Sequence, residues 1–227
     1  MAALPRAARL TAKPMSEKGL ILDRVTIALG GRQLLSITHR VALGEVLTVM
    51  GPSGSGKSTL LAYVGGFLDP AFEGSGAVRV DGRDITLLPA EARHAGLLFQ
   101  DALLFPHMSV RGNVAFALPP GIGGRASRRA RAEEALAGVG LEGFGERDPD
   151  TLSGGQKARV ALARTLVSAP RMLLLDEPFS RLDAELRQQM RELVFAKARA
   201  SGLPVILVTH DEADAAAAGG AVVRIGS

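Results

Sequence analysis

The chain has 227 residues, 47% of them hydrophobic, which suits one domain with room for a subdomain and a sizeable core. It holds no cysteine, so disulfides, thiolate metal sites and cysteine nucleophiles are excluded. The net charge is a modest +4, and no run approaches the ~18 apolar residues of a membrane-spanning helix, so a membrane role needs a partner that supplies the spans.

Residues 1–19 lack periodicity. Pro5, Arg6 and Arg9 interrupt the apolar core a signal peptide needs, so a disordered tail, or a start at Met15, is expected. Leu20 to Leu29 and Leu34 to Val41 read as strands joined by a turn at Gly30-Gly31. Glu45 to Met50 reads as a short buried strand, and Lys57 to Val64 as a helix stopped by Gly65-Gly66. Between them stands Gly51-Pro52-Ser53-Gly54-Ser55-Gly56-Lys57-Ser58, a match to G-x-x-x-x-G-K-[ST]. Strand, glycine-rich loop and helix in that order aim backbone N–H groups and a helix dipole at one anion. Gly54 and Gly56 let the backbone approach phosphates closely. Lys57 can reach the β- and γ-phosphates, and the Ser58 hydroxyl can ligate Mg²⁺.

Ala77 to Ile85 carries Val78 and Val80 before Asp81-Gly82, a hairpin signal. Leu97 to Gln100 reads as a strand ending on an amide that could touch metal and water. Ser109 to Gly145 is alanine-rich and broken by Pro119-Pro120-Gly121 and Gly123-Gly124, which suggests an inserted helical subdomain with a helix over Ala126 to Val139. The basic run Arg125 to Arg131 has no interleaved aromatics for base stacking and reads as a solvated helix face. Ser153 to Ser168 is a second helix. Met172 to Leu175 and Val205 to Val208 are buried parallel strands around a helix at Ala184 to Ala200, and Ala221 to Ser227 leaves room for a last short strand. The fold class is α/β, with a mainly parallel core sheet, an N-terminal antiparallel β region and an inserted α-helical subdomain.

Asp176 and Glu177 stand at the C-terminal end of a buried strand, the edge where ligands sit in doubly wound sheets. One carboxylate there can hold Mg²⁺ while the next orients or deprotonates water, though a helix N-cap before Pro178 explains them equally well. His210 follows the next buried strand. In Leu152-Ser153-Gly154-Gly155-Gln156, Ser153 occupies an N-cap position and two glycines leave first-turn N–H groups open. Those residues alone describe a second anion-binding helix terminus or, more simply, an ordinary capped helix.

The string LSGGQ, set between the phosphate loop and LLLDEP, resembles the signature motif of ABC transporter ATP-binding subunits. The resemblance runs from about Leu20 to the C-terminus, which makes residues 20–227 an ATPase domain of the P-loop NTPase class with a helical subdomain over about 101–168. It is similar to the importer type, near the ATPases of thiamine, iron and sulfate import and the YnjD-type group. The resemblance implies ATP on Gly51 to Thr59 with Leu29 beside the base, and Mg²⁺ held by Ser58, Gln100 and Asp176. It makes Glu177 the general base and His210 the γ-phosphate contact, and counts Gln100 with them among the catalytic residues. Two subunits would pack head to tail, so that Leu152, Ser153, Gly154, Gly155 and Gln156 act on the partner's ATP. Ser180, Arg181, Leu182 and Asp183 would line the dimer interface, and Leu104, Phe105, Pro106 and His107 would receive a helix of a membrane permease.

A homodimer or pseudo-dimer at the cytoplasmic face of the cell membrane follows, peripheral to permease subunits and served by an extracytoplasmic substrate-binding protein. No nucleic acid is expected. The chain departs from the family pattern at Leu29, where an aromatic is usual, so weaker discrimination among ATP, GTP and CTP is expected. It departs again at Arg181, which would add an interface ion pair, and it ends soon after His210 without a regulatory β-domain. The alternatives are an exporter or lipoprotein-releasing ATPase, against which only Gln100 to His107 argues, and a soluble ABC ATPase, which would carry coiled coils, zinc cysteines or tandem domains. A P-loop GTPase would need an N-K-x-D motif that the sequence lacks.

Overall fold

In β1 (Leu20–Leu29) the apolar residues alternate with a change of phase, Leu20 and Leu22 first and then Val25 and Ile27. A bulge at Arg24, which adopts φ 51°, absorbs the extra residue and returns the second pair to the same face. All four side chains are fully buried. The structure is a computed structural model and describes residues 18–226, so most of the expected N-terminal tail lies outside the described residues.

The chain continues through β2 (Arg32–Val41), β3 (Val46–Met50), α1 (Lys57–Gly65), β4 (Phe72–Val80), β5 (Arg83–Asp84) and β6 (Ala95–Leu98). Then come α2 (Val110–Phe116), α3 (Arg125–Ala137), α4 (Gly154–Val167), β7 (Met172–Asp176) and α5 (Ala184–Ala200). It closes with β8 (Val205–Thr209), α6 (Glu212–Ala218) and β9 (Ala221–Arg224). An antiparallel sheet has the order β2-β1-β4-β5, and a parallel sheet has the order β6-β7-β8-β3-β9.

Both faces of the parallel sheet are covered, which is why its strands read as unbroken apolar runs. Met172, Leu174, Ile206 and Val208 pack toward α1 and the antiparallel sheet. Leu173, Leu175, Val205 and Leu207 face the opposite way, into a core that runs without a break to Val114 of α2, Leu136 of α3 and Val160 of α4. The helical layer therefore shares its core with the sheet.

Three elements differ from the sequence reading. Strand β4 begins at Phe72 rather than Ala77, because Glu73-Gly74-Ser75-Gly76 has no apolar alternation and becomes a strand only by pairing with Thr26 to Ala28 of β1. Strand β6 ends at Leu98, so Phe99 and Gln100 have already left the sheet. Helix α6 was not expected, since its alanines carry no apolar period. The basic run is also more than a solvated face. Arg128 donates to the carbonyls of Ala115, Leu118, Pro119 and Ile122, and Arg129 and Arg131 pair with Glu146 and Glu134.

Candidate functional site

The glycine-rich loop leaves β3 and turns into α1 through left-handed Gly54 and Gly56, at φ 79° and 89°. A Cβ on Gly51 would lie 2.5 Å from the Ile225 carbonyl, so that position has no room for a side chain. Gly56 caps α1 without any side-chain hydrogen bond, which leaves the first N–H groups of the helix open to an anion. Ser55 braces the loop by donating to the Pro52 carbonyl at 2.8 Å. Lys57 is buried, and its Nζ donates to the carbonyls of Gly51 and Pro52, each at 2.8 Å. No carboxylate is within salt-bridge distance of it among the described residues, so its charge is uncommitted inside the loop.

A cavity of about 430 Å³ opens above this loop. Ser53, Thr59, Gln100, Asp176 and Glu177 line it together with the loop, and Leu29, Leu34 and Phe72 supply apolar wall from the antiparallel sheet. Ser58 Oγ donates to Asp176 Oδ1 at 2.9 Å, joining α1 to the end of β7. Burial pushes the Asp176 carboxyl above the usual range and Glu177 adds to the rise, while Ser58 and Lys57 oppose it. Glu177 adopts φ 45°, a backbone region that only a constrained non-glycine residue occupies, with its N–H bonded to the Val208 carbonyl at 2.9 Å. That turn leaves Glu177 Oε1 3.2 Å from Nδ1 of the largely exposed His210. Residues from β1, β2, the loop, α1, β4, the segment after β6 and the end of β7 thus meet at one place, with His210 beside Glu177, although they are spread from Leu29 to His210 along the chain.

The signature segment lies elsewhere, and none of Leu152 to Gln156 lines this cavity. Ser153 caps α4 in a reciprocal box. Its Oγ accepts from Gln156 N at 3.3 Å, and Gln156 Oε1 accepts from Ser153 N at 3.0 Å. The two glycines do different work, which corrects the expectation that both open the helix end. A Cβ on Gly154 would meet nothing within 4 Å, whereas one on Gly155 would strike Leu186 at 2.2 Å. Leu152 is buried and anchors the segment.

The family profile of the ABC transporters matches residues 34–180. The chain belongs to the ABC transporter family. It is similar to the uncharacterized ABC transporter ATP-binding protein YnjD of Escherichia coli (strain K12), 49% identical over 81% of this chain and 84% of that protein. It is similar also to the thiamine import ATP-binding protein ThiQ of Cereibacter sphaeroides, 46% identical over 86% of this chain and 83% of that protein. The Fe(3+) ions import ATP-binding protein FbpC 1 of Rhizobium meliloti is 45% identical over 81% of this chain but only 50% of its own length. Among solved structures, the dimeric ATP-binding cassette MJ0796 in a post-hydrolysis state with ADP and Pi superposes with a TM-score of 0.76 and 32% identity, over 91% of this chain and 94% of that one. This ABC subunit is accordingly an ATP-binding, ATP-hydrolysing component of an ATP-driven transporter.

In the loop after β7, Arg181 pairs with Asp101 of its own chain, and both side chains stay more than half exposed. One expectation about this loop needs correction. Leu182 is buried in the core and anchors the loop instead of presenting a surface. Ser180 Oγ donates to the Glu177 carbonyl at 2.9 Å, and Asp183 caps α5 by accepting from Leu186 N at 2.9 Å. The segment expected to meet a permease is held by Asn113, whose side chain bonds both the N–H and the carbonyl of Phe105. Pro106 and His107 are exposed, Leu104 and Phe105 half-buried, and the Phe105 ring meets Phe116 edge-on at 5.0 Å.

Sequence reasoning missed the clamp behind His210. Arg187 and Arg191 stand one turn apart on α5 and both reach Asp211 Oδ2, at 3.1 and 3.2 Å. Buried Arg191 also bonds Asp214, which accepts from the Thr209 hydroxyl at 2.7 Å. Arg187 further donates to the Leu182 carbonyl at 3.0 Å, so one helix holds both the His210 segment and the 180–182 loop. The signal was the pair of arginines at i, i+4 followed by aspartates at i, i+3 on a short helix.

Burial alone would raise the Asp211 carboxyl, but the N–H of Ala213, Arg191, the N–H of Asp214 and Arg187 together outweigh it and hold it low. A carboxyl lowered by folding contributes stability above its unfolded value, and that contribution is lost as pH falls through the folded value. Asp211→Asn is therefore expected to melt below wild type at pH 7, with the difference closing below about pH 3.9. Thermal midpoints measured across pH check this, and a gap that persists in acid would contradict it.

Proposed function

We propose that this chain works as a head-to-tail dimer that binds ATP between two copies and turns hydrolysis into movement of importer-type permease subunits. The observation that carries this reading is the separation of the two anion-facing helix ends. The loop cavity holds Lys57, Ser58, Asp176 and Glu177, but the open end of α4 at Ser153 and Gly154 does not face it. A second copy rotated by a two-fold axis brings that end over the first copy's phosphates.

ATP lies with its phosphates on the N–H groups of Gly54 to Thr59 and against Lys57. Ser58, Asp176 and Gln100 offer only oxygen donors, a set that fits Mg²⁺, and the Ser58–Asp176 hydrogen bond shows that two of them already meet. Mg²⁺ bound there would neutralise phosphate charge. Glu177 accepts the proton of the water that attacks the γ-phosphorus, and the bond to the β-phosphate oxygen breaks. His210, beside Glu177, holds a γ-phosphate oxygen. The 101–168 region carries Leu104 to His107 as the permease contact, and an extracytoplasmic binding protein delivers the cargo. The relatives named for thiamine and Fe(3+) import support the importer direction. No helix among the described residues is long and apolar enough to cross a membrane, which fits a subunit peripheral to its permease.

Mixed dimers test the arrangement. Lys57→Ala and Ser153→Arg chains are each expected to be inactive alone. When combined they regain hydrolysis, because each mixed dimer contains one site with an intact lysine opposite an intact serine. Absence of that rescue, with dimers formed, would contradict action across the interface.

A further inference from the structure

We infer that Phe72 is the base-contacting residue of the nucleotide site and gives it a preference for purines. The inference rests on the reading of the loop cavity as the ATP site. The cavity lining combines charged groups, Lys57, Asp176 and Glu177, with the apolar side chains of Leu29, Leu34 and Phe72. Phe72 is the one aromatic in that lining. It stands there because β4 extends beyond the point where the apolar alternation begins. The extension pairs Leu29 directly with Phe72, and residues directly opposite in an antiparallel pair project to the same face.

Several contacts fix the extension in place. Tyr63 packs so closely on β4 that a Cβ at Gly74 would lie 2.4 Å from its ring, and its hydroxyl donates to the Gly76 carbonyl at 2.8 Å. The turn before Phe72 is closed by its own N–H on the Asp69 carbonyl at 3.0 Å and by Ala71 N on the Asp69 side chain at 2.8 Å. Leu29 remains 44% exposed and offers a flat apolar rim. Leucine and phenylalanine side by side make a platform on which the larger face of a purine covers more area than a pyrimidine. Leu29 alone points to weak discrimination; the pair restores it.

The test is equilibrium binding of ATP, GTP and CTP to wild type, Phe72→Ala, Phe72→Trp and Lys57→Ala. Loss of base stacking costs purine affinity about tenfold, so Phe72→Ala is expected to weaken ATP and GTP by that factor and CTP much less. Phe72→Trp, which keeps a ring, retains the purine preference, and Lys57→Ala weakens all three nucleotides alike. An unchanged ratio of ATP to CTP affinity in folded Phe72→Ala would overturn the inference and leave the phosphate site standing. Equal binding of all three nucleotides by wild type and Lys57→Ala would instead remove the cavity itself as the ATP site, and the inference with it.

Discussion

Glu177→Gln is expected to lower ATP turnover by at least about a hundredfold, the low end of what a positioned general base contributes. The change is isosteric and keeps a hydrogen-bonding group beside His210, but an amide cannot take a proton from water. The backbone at φ 45° suits glutamine no worse than glutamate, so folding is expected to be unaffected. Lys57, Ser58 and Asp176 are untouched, so ATP affinity is retained and the closed dimer accumulates instead of reopening. Steady-state phosphate release gives the first result, and size-exclusion chromatography with and without ATP gives the second. Turnover equal to wild type would remove Glu177 from the reaction.

Arg191→Ala is expected to have the largest effect on stability. It leaves Asp214 buried without its cation, and removing one partner of a buried ion pair typically costs about 3–5 kcal/mol. For a chain of this length that lowers the thermal midpoint by roughly 10 °C. Arg187→Ala should cost much less, because its side chain is 29% exposed and Asp211 keeps Arg191 as a partner. Thermal unfolding of the two variants side by side gives the comparison. Equal midpoints would mean that the α5 clamp does not hold the His210 segment.

What was legible in the sequence depended on how local its cause was. The phosphate loop could be read because glycines, lysine and serine do their work within one turn. The strands of the parallel sheet could be read because burial on both faces leaves apolar runs without alternation. The capping box at Ser153 and Gln156 is likewise a matter of three residues. By contrast, Glu73 to Gly76 become strand only because β1 lies beside them, and Phe72 reaches the cavity only through that pairing. Leu182 could not be placed in the core from a motif written in terms of surface contacts. Arg181 could not be paired with Asp101, because nothing in the spacing of the two residues brings them together. Gly155 shows the same limit, since its partner Leu186 lies on the next helix.

The central claim is that this ATPase moves a membrane partner, and one experiment addresses it directly. Tagged Glu177→Gln protein is purified from its native membranes in ATP, which holds the dimer closed on whatever it drives, and the co-purifying proteins are identified. The account predicts a multi-span permease, together with or leading to its substrate-binding protein. Recovery only from the soluble fraction, bound to nucleic acid or ribosomes, would contradict the transport role while leaving the ATPase chemistry in place.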